Sequence, residues 1–356
     1  MKVIPYDKTR KNEWDAFCIA SDDAWFWHTS DWLEYTINYK PELTTTDLSF
    51  LVYDQDKIVA IVPLTLENTL LLTETVREFS FGGWTIPAPA LLPGLSVGER
   101  EYLHTFIFKE IDNLATQSNV VRASFRISPL SSNERGNVHY NYLLPFGYSD
   151  VSLFTRIIDL NKRPEELWND LRRNHKRSIK KVSDFKVSFF SSENITKEIF
   201  DEYKKMHHKA AGRKTRPDIT FEMMFDWIQD NLGFLGVVEY RGERIGFEYY
   251  TIYKNKAYGF SAANEPAYSY LPIRPILEWE AMLWMKKKDI STYEIGVDYY
   301  GTLPYDVPDS EQLNISHFKR GFGGVPVPLI MAEKFYNKDY FLKMTDYRAH
   351  RFASTL

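Results

Sequence analysis

The feature that most constrains this chain is a pattern that occurs twice. Residues 50–66 read FLVYDQDKIVAIVPLTL, and residues 234–252 read FLGVVEYRGERIGFEYYTI. Each is an apolar run, a short polar turn and a second apolar run, which is the signature of a β-hairpin. Each hairpin follows a helix-like stretch containing Trp and Phe, at 22–39 in the first half and 219–232 in the second. Two halves on one plan point to a duplicated α/β unit. The 356 residues can fill two domains with substantial cores.

The other elements follow in order. FSFGGWTIPAPALLPG (79–94) is a strand running into a Pro/Gly-rich loop, followed by a helix near 97–117 and the strand VVRASFRIS (120–128). SPLSSNERGN (128–137) has loop chemistry. A strand is expected at 151–160, with the domain boundary near 145–160. NKRPEELWNDLRRNHKRSIKKVSDF reads as one helix and its continuation. Pro164 and two glutamates open it, and basic residues gather toward its end, which suits both the first-turn preference for proline and the helix dipole. Leu167, Trp168, Leu171 and Ile179 supply a buried stripe. Further helices are expected at 195–211, 219–232 and 271–288. A strand at 293–297, a loop through 311, HFKRGFGG (317–324), a strand at 325–332 and a helix at about 337–349 complete the chain.

Composition narrows the function classes. Apolar residues make up 44% and charged residues 26%, as in ordinary globular proteins. Aromatics reach 16%, which suits clefts with flat, polar-tipped walls. A net charge of −4 gives no global attraction to nucleic acid or anionic membrane, so any such binding needs a local patch. Cys18 is the single cysteine, so no internal disulfide or multi-cysteine zinc site can form. The N-terminus lacks an apolar signal region, and no apolar run approaches the roughly 20 residues that span a bilayer. A cytoplasmic protein without a transmembrane segment is expected. No GxxxxGK[ST], GxGxxG or GxSxG motif occurs. His207 and His208 are adjacent on a helix and point about 100° apart, so no metal site is expected.

Four stretches remain as candidates for chemistry. Arg172, Arg173, Lys176, Arg177, Lys180 and Lys181 form a basic run, either a solvated face or a contact for tRNA or phosphate. GRKTRPD (212–218) is a short basic loop, with Arg213 and Arg216 presenting planar forks suited to phosphate oxygens. EYYTIYKNKAYGFSAAN (248–264) reads as a strand pair lining a cleft, where Tyr250 and Tyr258 contact substrate or pack in the core. HFKRGFGG is not a nucleotide loop, because its lysine precedes the glycines and no long helix follows. Lys319 is read as a lysine at a strand edge, either solvated or presented to a reaction site.

Three segments, in order, carry a resemblance. LWNDLRRNHKRSIKKVSDFKVSF (167–189) resembles the helix–strand segment that opens the second domain of FemAB-type aminoacyltransferases. AANEPAYSYLPIRPILEWEAMLWMKKKDISTYEIGV (262–297) is similar to a later segment of that family, and HFKRGFGG resembles its closing FK..FGG motif. Segments 50–66 and 79–94 also fit the family's N-terminal half. The resemblance implies an α/β (α+β) fold of two GNAT-like domains, each a mixed sheet flanked by helices. Residues 1–150, completed by 330–356, would form the first, and 151–329 the second, which holds the transfer site. The chain looks like the compact type, without a helical arm.

The resemblance further implies transfer of an aminoacyl group from aminoacyl-tRNA to an amine of a cell-envelope precursor, nucleotide- or lipid-linked, with no separate cofactor. Lys319 matches the family's FK lysine, which would stabilise the carbonyl oxygen or the ribose–phosphate end. Arg213 best matches a phosphate-gripping arginine, with Arg216 second. Tyr250, Tyr258, Lys176 and Arg177 complete the expected substrate-binding set. Two positions depart from the family: Thr36 stands where peptidoglycan-type members carry a lysine, and Glu294 where Asp is common. The rival readings are an N-acyltransferase that uses CoA or a carrier protein, and a non-catalytic saccharide-binding module. NEPAYSYLPIRP (264–275), where such enzymes have a Gly-rich pyrophosphate turn, has no glycine and three prolines, which supply no N–H.

Overall fold

The computed structural model describes residues 1–71, 74–131, 140–180 and 184–356. Part of the loop expected at 128–137, and Lys181 of the basic run, lie outside them. The chain divides into two compact units: 1–154 with 300–309 and 328–356, and 155–299 with 310–327. Residues 300–309, grouped above with the second domain, cluster with the first unit. No helix among the described residues is long and apolar enough to cross a membrane.

In the first unit the hairpin Phe50–Asp54/Lys57–Val62 lies in a sheet with Lys2–Pro5 and Ala90–Leu91. A second sheet contains Thr65–Leu71, Glu74–Phe79, Arg122–Arg126 and Met331–Phe335, and in it Glu74–Phe79 and Arg122–Arg126 run parallel. The Val97–Gln117 helix supplies Leu103, Ile107, Phe108 and Ile111 to the core. Ser96 and Glu99 form a reciprocal capping box at its start.

The second unit repeats the plan. Gly233–Tyr240 and Glu243–Tyr253 pair through the two-residue turn Arg241–Gly242, both with positive φ. That turn matches the right-handed twist of the flanking strands. A second such turn, Lys254–Asn255, leads into Lys256–Asn264. The chain then crosses through the helix Ile273–Lys287 to Thr292–Val297, which runs parallel to Lys256–Asn264. The full order is Phe185–Phe190, Gly233–Tyr240, Glu243–Tyr253, Lys256–Asn264, Thr292–Val297, Leu153–Asp159, Val325–Leu329. The crossover helix buries Ile276, Leu277, Trp279, Met282 and Met285.

Two expectations are corrected. The basic segment after Asn161 is two helices, Pro164–Asp170 and Arg173–Lys180. Leu171 turns extended between them, its side chain is buried, and the Arg172 N–H donates to the Gly321 carbonyl. A tertiary contact thus replaces the helical ladder. Lys319 stands not at a strand edge but in the last turn of the helix Ser310–Arg320, which begins inside the segment expected to be loop. Basic residues in that last turn complement the helix dipole, and the chain leaves the helix at Gly321.

Candidate active site

The parallel pair Lys256–Asn264 and Thr292–Val297 parts partway along. Pairing runs from Lys256↔Thr292 to Tyr258↔Glu294 and stops there. Gly259 to Asn264 then line a cleft of about 1120 Å³ within the second unit. Glu248, Arg274, Glu278, Ile295, Phe318 and Lys319 contribute to its walls.

Lys319 is half-buried, and its Nζ donates to the Val297 carbonyl at 3.3 Å. Burial pulls its pKa below the usual lysine value, while Glu278 and Glu294 pull it back up. Arg320, its neighbour, has a different task. Its Nε lies 2.7 Å from Oδ1 of Asp298, whose Oδ2 takes Arg156 at 2.9 Å. Arg156 also donates to the carbonyls of Gly323 and Gly324. The His175 ring lies 3.0 Å from the Phe318 carbonyl. These contacts fix the chain on both sides of Lys319.

The cleft wall holds a polar cluster that sequence reasoning missed. Arg274 Nη1 stands 2.5 Å from Glu248 Oε2, and Nη2 stands 2.8 Å from Glu278 Oε1. The Tyr293 hydroxyl donates to Glu278 at 2.8 Å, and the Tyr250 hydroxyl to Glu248 at 2.5 Å. Both carboxylates are buried. Burial, then the charge of Glu248, pushes the Glu278 carboxyl up to about 8, while Arg274 and Tyr293 oppose the shift. A signal was present in the sequence: Glu248 is a single charge inside the apolar run GFEYY, and Glu278 stands between Leu277 and Trp279 in ILEWE. A carboxylate so placed must find a partner.

The other expected site residues take varied positions. Tyr250 is corrected: it is fully buried, stacked on Phe234 at 4.6 Å, and offers no surface to a substrate. Its neighbour Tyr249 is buried as well, against Phe200 and Tyr203, while Tyr250 packs on Phe234 and Tyr293, so each ring is covered by a different set of residues. Tyr258 is half-buried at the last paired position before the cleft. Arg213 is exposed just beyond the helix Lys197–Ala211. Arg216 is buried, donating to Ser261 Oγ at 2.8 Å, lying 2.9 Å from His207 Nε2 and packing over Phe221. It therefore braces the cleft strand at Ser261 instead of standing free. Lys176 donates to the Asn169 carbonyl at 3.0 Å, and Arg177 is exposed; neither lines the cleft. Thr36 is buried on the helix Ser30–Tyr39, its hydroxyl bonded to the Trp32 carbonyl. Glu294 is buried and accepts from Thr155 at 2.6 Å.

The loop 264–275 is occupied with itself. The N–H groups of Tyr268, Ser269, Leu271 and Ile273 donate to carbonyls within it, Ala267 donates to the Glu265 side chain, and Glu265 donates to Ile245. Pro266, Pro272 and Pro275 have none to give. Little of this turn is left to cradle a pyrophosphate.

Residues 169–306 match the family of acetyltransferase (GNAT) domains. No curated protein matches the chain. Among solved structures, that of FemX is similar over 97% of this chain and all of its own, at 12% identity and a TM-score of 0.65. The C-terminal domain of an Agrobacterium fabrum protein named as a lysylphosphatidylglycerol synthetase is similar over 95% of this chain and 96% of its own, at 12% identity and a TM-score of 0.54. A conserved Bacteroides thetaiotaomicron protein of unknown function covers 94% and 98%, at 10% identity and a TM-score of 0.51. At these identities the likeness is one of fold. The fold is that of tandem GNAT-like domains, as the sequence resemblance implies.

Proposed function

We propose that this chain is an acyltransferase that moves an aminoacyl group from aminoacyl-tRNA to an amine of a cell-envelope precursor, in the cytoplasm. The observation that supports this most is the half-buried Lys319 ammonium on the wall of the cleft opened by the parting strands. The names of FemX and of the lysylphosphatidylglycerol synthetase point the same way as the resemblance in the sequence.

Aminoacyl transfer begins with an amine attacking an ester carbonyl, and charge gathers on the carbonyl oxygen. A fixed cation beside that oxygen is worth about 10²–10³ in rate for one donor. Lys319 is held by its surroundings and, among the described residues, has one weak hydrogen-bond partner, so its remaining protons can reach a ligand. Exposed Arg177 and Arg213, with Lys176, are the candidates for phosphate contacts along a tRNA or a diphosphate-linked acceptor. Such contacts make binding salt-dependent. Thr36 in place of the lysine that contacts the nucleotide diphosphate argues against a UDP-linked acceptor, and the peptidoglycan peptide and an envelope amino sugar are the candidate acceptors.

A CoA-dependent transfer is the second reading, favoured by the GNAT domain match at 169–306. Against it stands the loop 264–275, most of whose N–H groups are spent within the protein. The two readings separate in one assay. The purified chain is supplied with candidate amines and either charged tRNA or acyl-CoA, with and without ribonuclease. Transfer abolished by ribonuclease is the expected result. Ribonuclease-insensitive transfer from acyl-CoA would overturn the tRNA reading.

A further inference from the structure

At the point where the sheet parts, the cleft wall has no side chain. Tyr258 is the last paired residue of its strand and Gly259 is the next. A β-carbon at 259 would stand 2.8 Å from the Tyr293 hydroxyl and 3.4 Å from Oε1 of Glu248. The glycine therefore lets the strand close directly onto the Tyr293 hydroxyl and Glu248, so the buried carboxylate cluster packs immediately against the cleft strand. Glu248 and Glu278 both border the cleft. The Tyr250 hydroxyl lies 2.5 Å from Glu248 Oε2 and 3.4 Å from Glu278 Oε2, so one phenol links the pair.

A purely structural role for Arg274 needs one carboxylate. The second adds a buried charge, and desolvating an ion costs several kcal/mol. Two carboxylates against one guanidinium leave an excess negative charge that favours holding a proton. We propose that the Glu248–Glu278 pair, which borders the cleft beside Gly259, is the proton acceptor for the attacking amine. This inference rests on the acyl-transfer reading above.

The step balances as follows. The acceptor enters as an ammonium and gives one proton to the pair. Its freed lone pair forms the C–N bond, and the carbonyl π electrons move to the oxygen beside Lys319. Collapse of the intermediate breaks the ester C–O bond, and a second proton on nitrogen goes to the leaving ribose oxygen. The pair then releases its proton to solvent. The net products are an amide, an alcohol and one proton.

The groups facing Glu278 are Glu248 and Tyr250 from one strand, Tyr293 from another, and Arg274 from its own helix. Lys319, on the neighbouring helix, also feels its charge, and it feels that of Glu294 as well. Burial and Glu248 raise the Glu278 carboxyl to about 8, close to the pH at which a proton acceptor works well.

The test is the pH dependence of turnover in the intact chain. Wild-type kcat should rise through a limb near pH 8. Glu278→Gln should lower kcat by about 10²–10⁴, remove that limb and leave KM for the donor unchanged. Tyr293→Phe removes a hydrogen bond that holds the Glu278 carboxyl down, so the limb should move to higher pH. Gly259→Ala, whose β-carbon would displace the Tyr293 hydroxyl, should lower kcat and move the limb in the same direction as Tyr293→Phe. A folded Glu278→Gln variant with wild-type kcat, or a limb unmoved by Tyr293→Phe, would overturn the proposal while acyl transfer itself stands. Absence of transfer by the wild type from any donor would overturn the acyl-transfer reading and this inference with it.

Discussion

Gly296 makes the room in which Lys319 sits: a β-carbon at 296 would stand 2.8 Å from the lysine Nζ. The glycine also has a φ of +104°, a region that residues with a side chain rarely adopt. Gly296→Ala should therefore displace the ammonium and strain the strand together. Turnover should fall as far as it does on removal of the lysine, with a stability loss of about 1–3 kcal/mol. Denaturant midpoints and turnover, measured together, check both parts. Native turnover in the alanine variant would mean that the placement of Nζ does not matter.

Lys319→Ala should lower turnover by about 10²–10³ with little change in stability. Among the described residues its hydrogen bond is the 3.3 Å contact to Val297, so little structure depends on it. Circular dichroism and single-turnover rates decide. A rate within threefold of wild type in a folded variant would remove the lysine from the chemistry.

Arg274 bears on stability instead. Its guanidinium faces two buried carboxylates, and removing one partner of a buried ion pair costs about 3–5 kcal/mol. Arg274→Met should show a loss of that order in urea unfolding. Adding Glu278→Gln should recover part of it, because one uncompensated charge is then gone. Two losses that simply add would refute the coupling.

Glu278 also sets a slope of stability with pH. Its carboxyl titrates near 8 in the folded state against an ordinary 4.5, so the folded state binds the extra proton. A raised folded value means that the stabilising contribution is full below 4.5 and is lost as pH climbs toward 8. Thermal melts of Glu278→Gln should lack this decline between pH 5 and 8. A wild-type curve parallel to that of the variant over this range would contradict the prediction.

His104 slopes the other way. Its ring is buried, stacked on Tyr142 at 4.4 Å, and burial followed by the nearby Arg100 lowers its pKa from 6.5 to about 3. The folded state holds it neutral while the unfolded chain takes up a proton, so stability is lost as pH falls from 6.5 toward 3. His104→Phe should flatten the acid limb of the melting curve. An acid limb as steep as that of wild type would place its origin elsewhere.

Much of the fold was legible because its signals are local. The hairpin at Arg241–Gly242 follows from a two-residue turn between apolar runs, and the crossover helix from its apolar stripe. The helix that carries Lys319 gave no such stripe. Of SEQLNISHFKR only Ser316 is buried, so there is no periodic apolar face to read. The break at Leu171 is likewise set by a distant partner, Gly321. The site was half legible. Lys319 stood out through its motif, and Glu248 was visible as an isolated charge in an apolar run, whereas Glu278 shares its helix with Arg274 and Glu280. Their meeting through Arg274 depends on the register of a helix against a sheet, which no local pattern encodes.

Beyond Tyr258 the strand Lys256–Asn264 keeps Glu243–Tyr253 on one side and faces the cleft on the other. That wall offers a ligand main chain as well as side chains. Amide and carbonyl groups along a strand repeat at a spacing fixed by the backbone, whatever the residues are. Exchanges at Phe260 or Ala262 would resize the cleft yet keep its row of donors and acceptors. The polarity of this wall is a property of strand geometry, and amino-acid drift can retune what fits there far more readily than it can erase the capacity to bind.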